Sequence, residues 1–229
     1  MCGPARLSSD VSEIKLVFRI PSERPSPNFA PSWNVAPTDP LPIVRYDAKD
    51  HQRSLDVMRW GLVPFWAKDI KVGFANINAK AEGIGNKPAF REAFQQRRCL
   101  VPVDNFYEWQ KTATGKQPYA IALKSRDLMA LAGLWENWRE RSTGERIRSF
   151  AIVTTEPNEL CAQLHNRMPV VLAPEAWPAW LGEEPADEPH LKALLAPYPS
   201  DDMICWPMST RVGSVKNNDP SLVEPINFP

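Results

Sequence analysis

Residues 99–124 read CLVPVDNFYEWQKTATGKQPYAIALK. Two runs rich in β-branched and aromatic residues flank KTATGKQ (111–117), whose glycine is a turn signal, so the stretch predicts a β-hairpin. The pattern returns downstream, where LMALAGLWENW (128–138) and RIRSFAIVTT (146–155) flank RERSTGE. Upstream, PIVRYD (42–47) and SLDVMRWGLVP (54–64) predict short strands joined by the charged, polar run DAKDHQR. FANINA (74–79) is a further extended candidate, and ICWPMS (204–209) a late strand.

Helical signals are short and scattered. Asp10 with Glu13 forms a capping-box pattern, and Val11, Ile14 and Phe18 suit one helical face. NKPAFREAFQQRR (86–98) predicts a helix capped by Asn86, with Pro88 in its first turn and Arg97 and Arg98 at its C-terminal end. TEPNELCAQLHN (155–166) predicts another, and PEAWPAWL and PHLKALL two shorter ones. No repeat, low-complexity tract or Gly/Ser linker divides the chain. The expected fold is therefore one α+β domain over residues 1–229, with a mixed, mainly antiparallel, barrel-like sheet core surrounded by short helices.

Composition narrows the function classes. Hydrophobic residues make up 43% of the 229 residues, enough for a core, and the 24 prolines favour short elements and rigid turns. Lys+Arg and Asp+Glu number 27 each, so no global field draws the chain to a polyanion or a membrane surface. Nucleic-acid binding would need a local patch. No basic segment followed by an apolar run opens the chain, and no apolar run is long enough to span a bilayer, so a cytoplasmic protein without membrane partners is expected. Cys99, Cys161 and Cys205 are then expected as buried free thiols. The four cysteines and three histidines show no metal-ligand spacing, so no metal site is expected.

The fourth cysteine is different. MCGPAR places Cys2 directly behind Met1. Removal of Met1 would leave an amine and a thiol on adjacent carbons, titrating near 8 and 8.5 respectively. An aldehyde can form an imine with that amine, and the thiolate can then close a five-membered thiazolidine ring. By position alone, the plainer reading of Cys2 as a small residue near a frayed end stands.

Other stretches carry polar groups with two readings each. In FYEW (106–109), strand alternation puts Tyr107 and Trp109 on one face and Glu108 on the other. Taken in isolation, Glu108 is expected on a solvated face; burial would instead raise its pKa and suit it to proton transfer. In LHNRMP (164–169), His165 caps a helix end or joins Asn166 and Arg167 in a cluster for an anion. In NINAKAE (76–82), Asn76, Asn78, Lys80 and Glu82 would share one strand face, as solvated residues or as a site floor. RWGLVPFWAKD sets Trp60, Phe65 and Trp66 beside Arg59 and Lys68. Most of the nine tryptophans should be core, yet aromatics interleaved with cations can also stack unpaired bases.

MCG, WNVAPT, RWGLVPFWAKD, NINAKAE, VPVDNFYEW, LHNRMPVVL and VKNNDPSLVEPI occur in one order along nearly the whole chain. In this the sequence resembles the SRAP family, the SOS response-associated peptidases, also described as abasic-site processing proteins of the DNA-damage response. The resemblance implies a barrel-like α+β domain with a cleft for single-stranded DNA containing abasic sites, acting as a monomer without cofactor or metal. It implies that Cys2, freed of Met1, captures the open-chain aldehyde of the baseless sugar as a thiazolidine. By the same resemblance Asn78 orients the intermediate, Glu108 moves protons around the amine and thiol, and His165 assists sugar opening. Trp66, Lys80, Arg167, Lys216 and Asn217 are implied to line the DNA cleft. The family commonly has arginine where Pro4 stands, leaving Arg6 the nearest, and often arginine in place of Lys80, a planar fork exchanged for a point charge. The alternatives are a cysteine-type peptidase, in which Cys2 attacks a peptide bond with His165 and Glu108 assisting, on other peptides or on Met1 alone, and a protective single-strand binder in which Cys2 is incidental.

Overall fold

Asp10 starts the first helix as its sequence predicts: its side chain accepts a hydrogen bond from the Glu13 amide at 2.9 Å. This computed structural model describes residues 3–113 and 115–226. In chain order its strands are β1 Ala5–Leu7, β2 Ser32–Val35, β3 Pro40–Asp47, β4 Gln52–Trp60, β5 Asn78–Lys80, β6 Arg98–Val103, β7 Asn105–Thr112, β8 Gly115–Leu123, β9 Met129–Arg139, β10 Arg146–Thr155, β11 Met168–Pro169 and β12 Met203–Pro207. The α-helices are short: α1 Val11–Val17, α2 Arg91–Gln96, α3 Glu159–Ala162, α4 Trp177–Leu181 and α5 Glu188–Ala193.

The hairpins predicted for β3–β4, β7–β8 and β9–β10 all form. What joins them is non-local. Strand β10 pairs antiparallel with β9 and parallel with β4, where Phe150 faces Trp60 across the ladder. The circuit β10–β4–β3–β6–β9 thereby returns to β10 and closes a five-stranded barrel. Closure removes the free edges of that sheet and sets Ile43, Val44, Leu100, Leu131, Leu134 and Phe150 in a core without solvent contact. Beside the barrel lies an antiparallel five-stranded sheet in the order β12-β8-β7-β1-β2. Its Phe106, Ile121, Ala5 and Leu7 belong to the same apolar cluster as the barrel residues, so the two sheets bury one another in a single α+β domain. Among the described residues, no helix is long and apolar enough to cross a membrane.

Several expected elements are shorter than their sequence patterns. The run CLVPVDNFYEWQ breaks at Asp104, with β6 in the barrel and β7 in the other sheet. The Asp104 carboxylate accepts from the Ser8 amide at 2.5 Å and from the Ser8 hydroxyl at 3.0 Å, which fixes the corner. Helix α2 begins at Arg91, not near Asn86, because residues 83–90 form turns of their own: the Asn86 and Lys87 amides both donate to the Gly83 carbonyl. Its end is as expected, with Arg98 donating to the Phe94 and Gln95 carbonyls at 2.8 and 2.7 Å. Helix α3 has only four residues, since the Leu164 and His165 amides both close on the Cys161 carbonyl. In FANINA only residues from Asn78 onward are strand; Phe74 and Ala75 end a 3-10 turn, Ile70–Ala75. Cys99 and Cys161 are buried free thiols, but Cys205 is half-buried on β12.

After β4 the chain leaves the barrel in a loop whose neck is tied twice. The Leu62 amide donates to the Asn76 carbonyl and the Asn76 side chain donates back to the Leu62 carbonyl, each at 3.1 Å. Gly61 at the neck has φ +117°, and a Cβ there would lie 2.8 Å from the Gly73 carbonyl oxygen. Strain and collision act together, so Gly61→Ala is expected to cost at least about 2 kcal/mol. In thermal melts this should appear as a fall of roughly 4 to 8 °C for a chain of this size.

Candidate functional site

The start of the described chain lies against strand β7. The Tyr107 amide donates to the Pro4 carbonyl at 3.0 Å, and Ala5 pairs with Phe106. Gly3 continues along the same strand: a Cβ there would fall 2.9 Å from Cζ3 of Trp109. Only glycine lets the backbone come so close to the indole. Cys2 lies outside the described residues. Pro4 contributes its carbonyl to β7, and Arg6, the nearest arginine, donates to the Ser8 hydroxyl at 2.8 Å beside Asp104.

Between Tyr107 and Trp109, Glu108 is only 3% exposed. This corrects the solvated-face expectation. Alternation does put neighbours on opposite faces of β7, but both faces are covered. Phe106 joins the main core on one side, and Tyr107 packs with Ala120, Met208 and Val212 on the other. Burial pushes the Glu108 carboxyl up to about 8, and among the described residues its Oε1 has no hydrogen-bond partner. The carboxyl is thus held as an acid near neutral pH. Burial also pushes the Cys161 thiol up to about 12, with the nearby Glu108 charge adding to the rise.

His165 stands just past α3, its amide held by the Cys161 carbonyl at 2.9 Å. Its ring lines a cleft of about 720 Å³ that has Trp109, Gln110 and Lys111 of β7 on one wall and Pro157, Gln163 and Asn166 on the other. The Gln110 side chain donates to the Gln163 carbonyl at 3.2 Å and ties the two walls together. Burial lowers the His165 pKa, and the Arg167 amide donates to Nδ1 at 3.2 Å. A ring nitrogen that accepts carries no proton, so this contact suits the neutral ring with its proton on Nε2.

Asn78 and Lys80 lie on β5, beside β10 in parallel register with Ile152 and Thr154. Asn78 is half-buried and Lys80 exposed. The four-residue polar face expected from NINAKAE is reduced to these two. Asn76 ties the loop neck, and Glu82 sits in a 3-10 turn, Ala81–Gly83. Glu82 forms a two-pronged ion pair with Arg167, Nη2 to Oε2 at 3.1 Å, and Nη2 also donates to the Thr154 carbonyl at 2.6 Å. The guanidinium of Arg167 is therefore engaged by protein groups.

Lys216 is exposed at the tip of a loop that Asn34 organises. The buried Asn34 side chain donates to the carbonyls of Val212, Ser214 and Asn217 at 3.0–3.1 Å. The Trp33 amide donates to the Asn218 side chain at 2.7 Å, and Tyr107 donates to the Trp33 carbonyl at 2.6 Å. WNVAPT and VKNND are thereby joined beside β1. Asn34 was missed by reasoning from sequence, because nothing local marks a buried asparagine as the anchor of a loop 180 residues away. Phe74 was missed as well. With Phe65 and Trp66 it is one of three large aromatics left exposed on the loop between Gly61 and Asn76, and the Arg59 guanidinium lies 5.5 Å from its ring centre. A hydrophobic ring left in water with a cation above it is suited to stacking.

The structure thus sets His165 in a cleft walled by Trp109, with Glu108 buried next to Trp109 on β7, and it places Lys80 and Arg167 on either side of Thr154 of β10. Lys216 and Asn217 are tethered to the strand flanking β1, and Trp66 stands on a separate loop that ends two residues before Asn78.

A family model described as SOS response associated peptidase matches residues 1–215. A Bacillus subtilis protein named abasic site processing protein YoqW is 41% identical over 98% of this chain and 99% of its own length. A chicken protein named abasic site processing protein HMCES is 32% identical over 87% of this chain and 68% of its own. A crystal structure of a Bacteroides thetaiotaomicron protein superposes with a TM-score of 0.89 at 25% identity, covering 99% of this chain and all of that one.

Proposed function

This chain belongs to the SOS response associated peptidase family, and from that premise we propose that it processes abasic sites in single-stranded DNA by covalent capture on Cys2. The observation that carries the reading is the seating of Gly3 on Trp109, one residue from the buried Glu108, whose carboxyl burial pushes up to about 8. The residue covalently attached to Gly3 cannot be more than about 3.8 Å further on, Cα to Cα.

An abasic sugar opens to an aldehyde. The terminal amine of Cys2, with Met1 removed, adds to that carbonyl. Glu108 in its acid form gives its proton to the departing hydroxyl, water leaves, and a protonated imine remains. The Cys2 sulfur then attacks the imine carbon, and its proton returns to the Glu108 carboxylate as the ring closes. Aldehyde and aminothiol become thiazolidine and water, with no change in oxidation state. A neutral His165 protonated on Nε2 is suited to donating a hydrogen bond to the sugar ring oxygen as it opens, and Asn78 to holding the intermediate by its amide. Phe65, Trp66 and Phe74 would stack unpaired bases, each worth about 1–3 kcal/mol, while the exposed Lys80 and Lys216 meet phosphates. The same side chains would also serve hydrolysis of the Met1–Cys2 bond, the one peptidase activity we assign.

The test incubates protein of verified intact mass, free of Met1, with a single-stranded oligonucleotide bearing one abasic site. A denaturation-resistant adduct mapped to the first peptide is the expected result. An adduct on another side chain, or none from protein with a free Cys2 amine, overturns the reading. Affinity for the undamaged strand should fall as salt rises, with a log–log slope of about −0.7 per phosphate neutralised. A flat response would remove the lysines from the interface.

A further inference from the structure

Glu82 is an oddity in a cleft that would receive a polyanion. Its carboxylate is 58% exposed beside exposed Lys80, where it would repel a phosphate backbone. Its partner explains its presence. Arg167 is only 17% exposed, and its fork grips both Glu82 oxygens while also donating to the Thr154 carbonyl on β10. Two parallel bonds from a rigid guanidinium fix orientation as well as distance. The residue so held carries the amide that donates to Nδ1 of His165.

We infer that Glu82 is a positioning residue for His165, acting through Arg167. The clamp holds the 165–167 turn so that the Arg167 amide selects one tautomer, with the proton on Nε2. Glu82 touches neither DNA nor the reacting atoms in this account. The inference rests on the capture reading for its consequence in rate, but its structural content is independent of that reading.

Glu82→Gln keeps the size of the side chain and removes the charge that holds the fork. The first measurement is made without DNA: nitrogen-15 shifts of the His165 ring report which nitrogen bears the proton. The native protein should show a single Nε2-protonated form, and Glu82→Gln a mixture of the two tautomers. The second measurement is the rate of adduct formation at saturating oligonucleotide, which should fall roughly tenfold, within the range that small displacements of reacting groups produce. Glu82→Asp, which keeps the charge, should restore part of the rate. Arg167→Lys, which keeps a charge but loses the fork, should reproduce the tautomer mixture. Unchanged ring shifts in both variants would overturn the inference, as would a changed salt slope with an unchanged saturated rate. If the native protein itself forms no adduct, the capture reading fails, while the ring shifts still decide the role of Glu82.

Discussion

Cys2→Ala should yield no denaturation-resistant adduct, a complete loss rather than a slowing. Ring closure needs sulfur and nitrogen on adjacent carbons, and alanine keeps only the nitrogen. The variant can still form an imine with the aldehyde, but that imine is reversible in water. It also acidifies the sugar carbon beside it, so the 3′ phosphate can leave by elimination. The expected outcome on a denaturing gel is therefore no shifted band, with some strand scission in its place. Borohydride, which reduces an imine to a stable amine, should bring the shifted band back. The half-buried Cys205 serves as the control, since Cys205→Ala should crosslink as the native protein does. A stable adduct in Cys2→Ala without borohydride would end the thiazolidine account.

Glu108→Gln should separate chemistry from binding most sharply. General acid–base groups contribute about 10²–10⁴-fold, so capture should slow by at least about 100-fold while affinity for undamaged strand stays within about twofold. The native rate should fall as pH rises through about 8, where the carboxyl loses its proton, and that limb should vanish in the variant. Stability should move the other way. The carboxyl is raised from an ordinary 4.5 to about 8 in the folded chain, so between these values the folded form binds more protons than the unfolded. Native stability must then fall as pH rises across that window, by on the order of 5 kcal/mol when complete. Below pH 4.5 both states are protonated and the penalty is absent. Glu108→Gln, which cannot ionise, should melt above the native protein at pH 9 and near it at pH 4. A lower melting point for the variant at pH 9 would mean that Glu108 is not held against its charge.

The parts of this architecture visible beforehand are those whose causes are local. The Asp10 cap, the turns after Asp47, Thr112 and Arg139, and the ending of α2 at Gln96, where Arg98 takes the last carbonyls, each depend on residues within a few positions. The barrel could be anticipated only as a class, because its closure rests on the parallel pairing of Arg59 and Trp60 with Ser149 and Phe150, ninety residues on. Glu108 shows the same limit at the site. Period-two alternation assigns it a face, but only the packing of β7 between its neighbours decides that this face is dry. Its role, like that of Asn78 and His165, came from resemblance and not from spacing. The Glu82–Arg167 clamp spans 85 residues and had no local trace, and the same holds for Asn34 and the loop of Lys216.

Strand β1 is inserted between β2 and β7 instead of being added at an edge. Its second neighbour begins at Asn105, so on the ribosome the first strand can pair with β2 but not with β7 until more than a hundred residues have been made. At about 5–20 residues per second, that leaves the β7 side of the leading strand unpaired for roughly 5 to 20 s. Any enzyme that trims the residues ahead of Gly3 has that interval in which to work, before Trp109 exists to pack against Gly3.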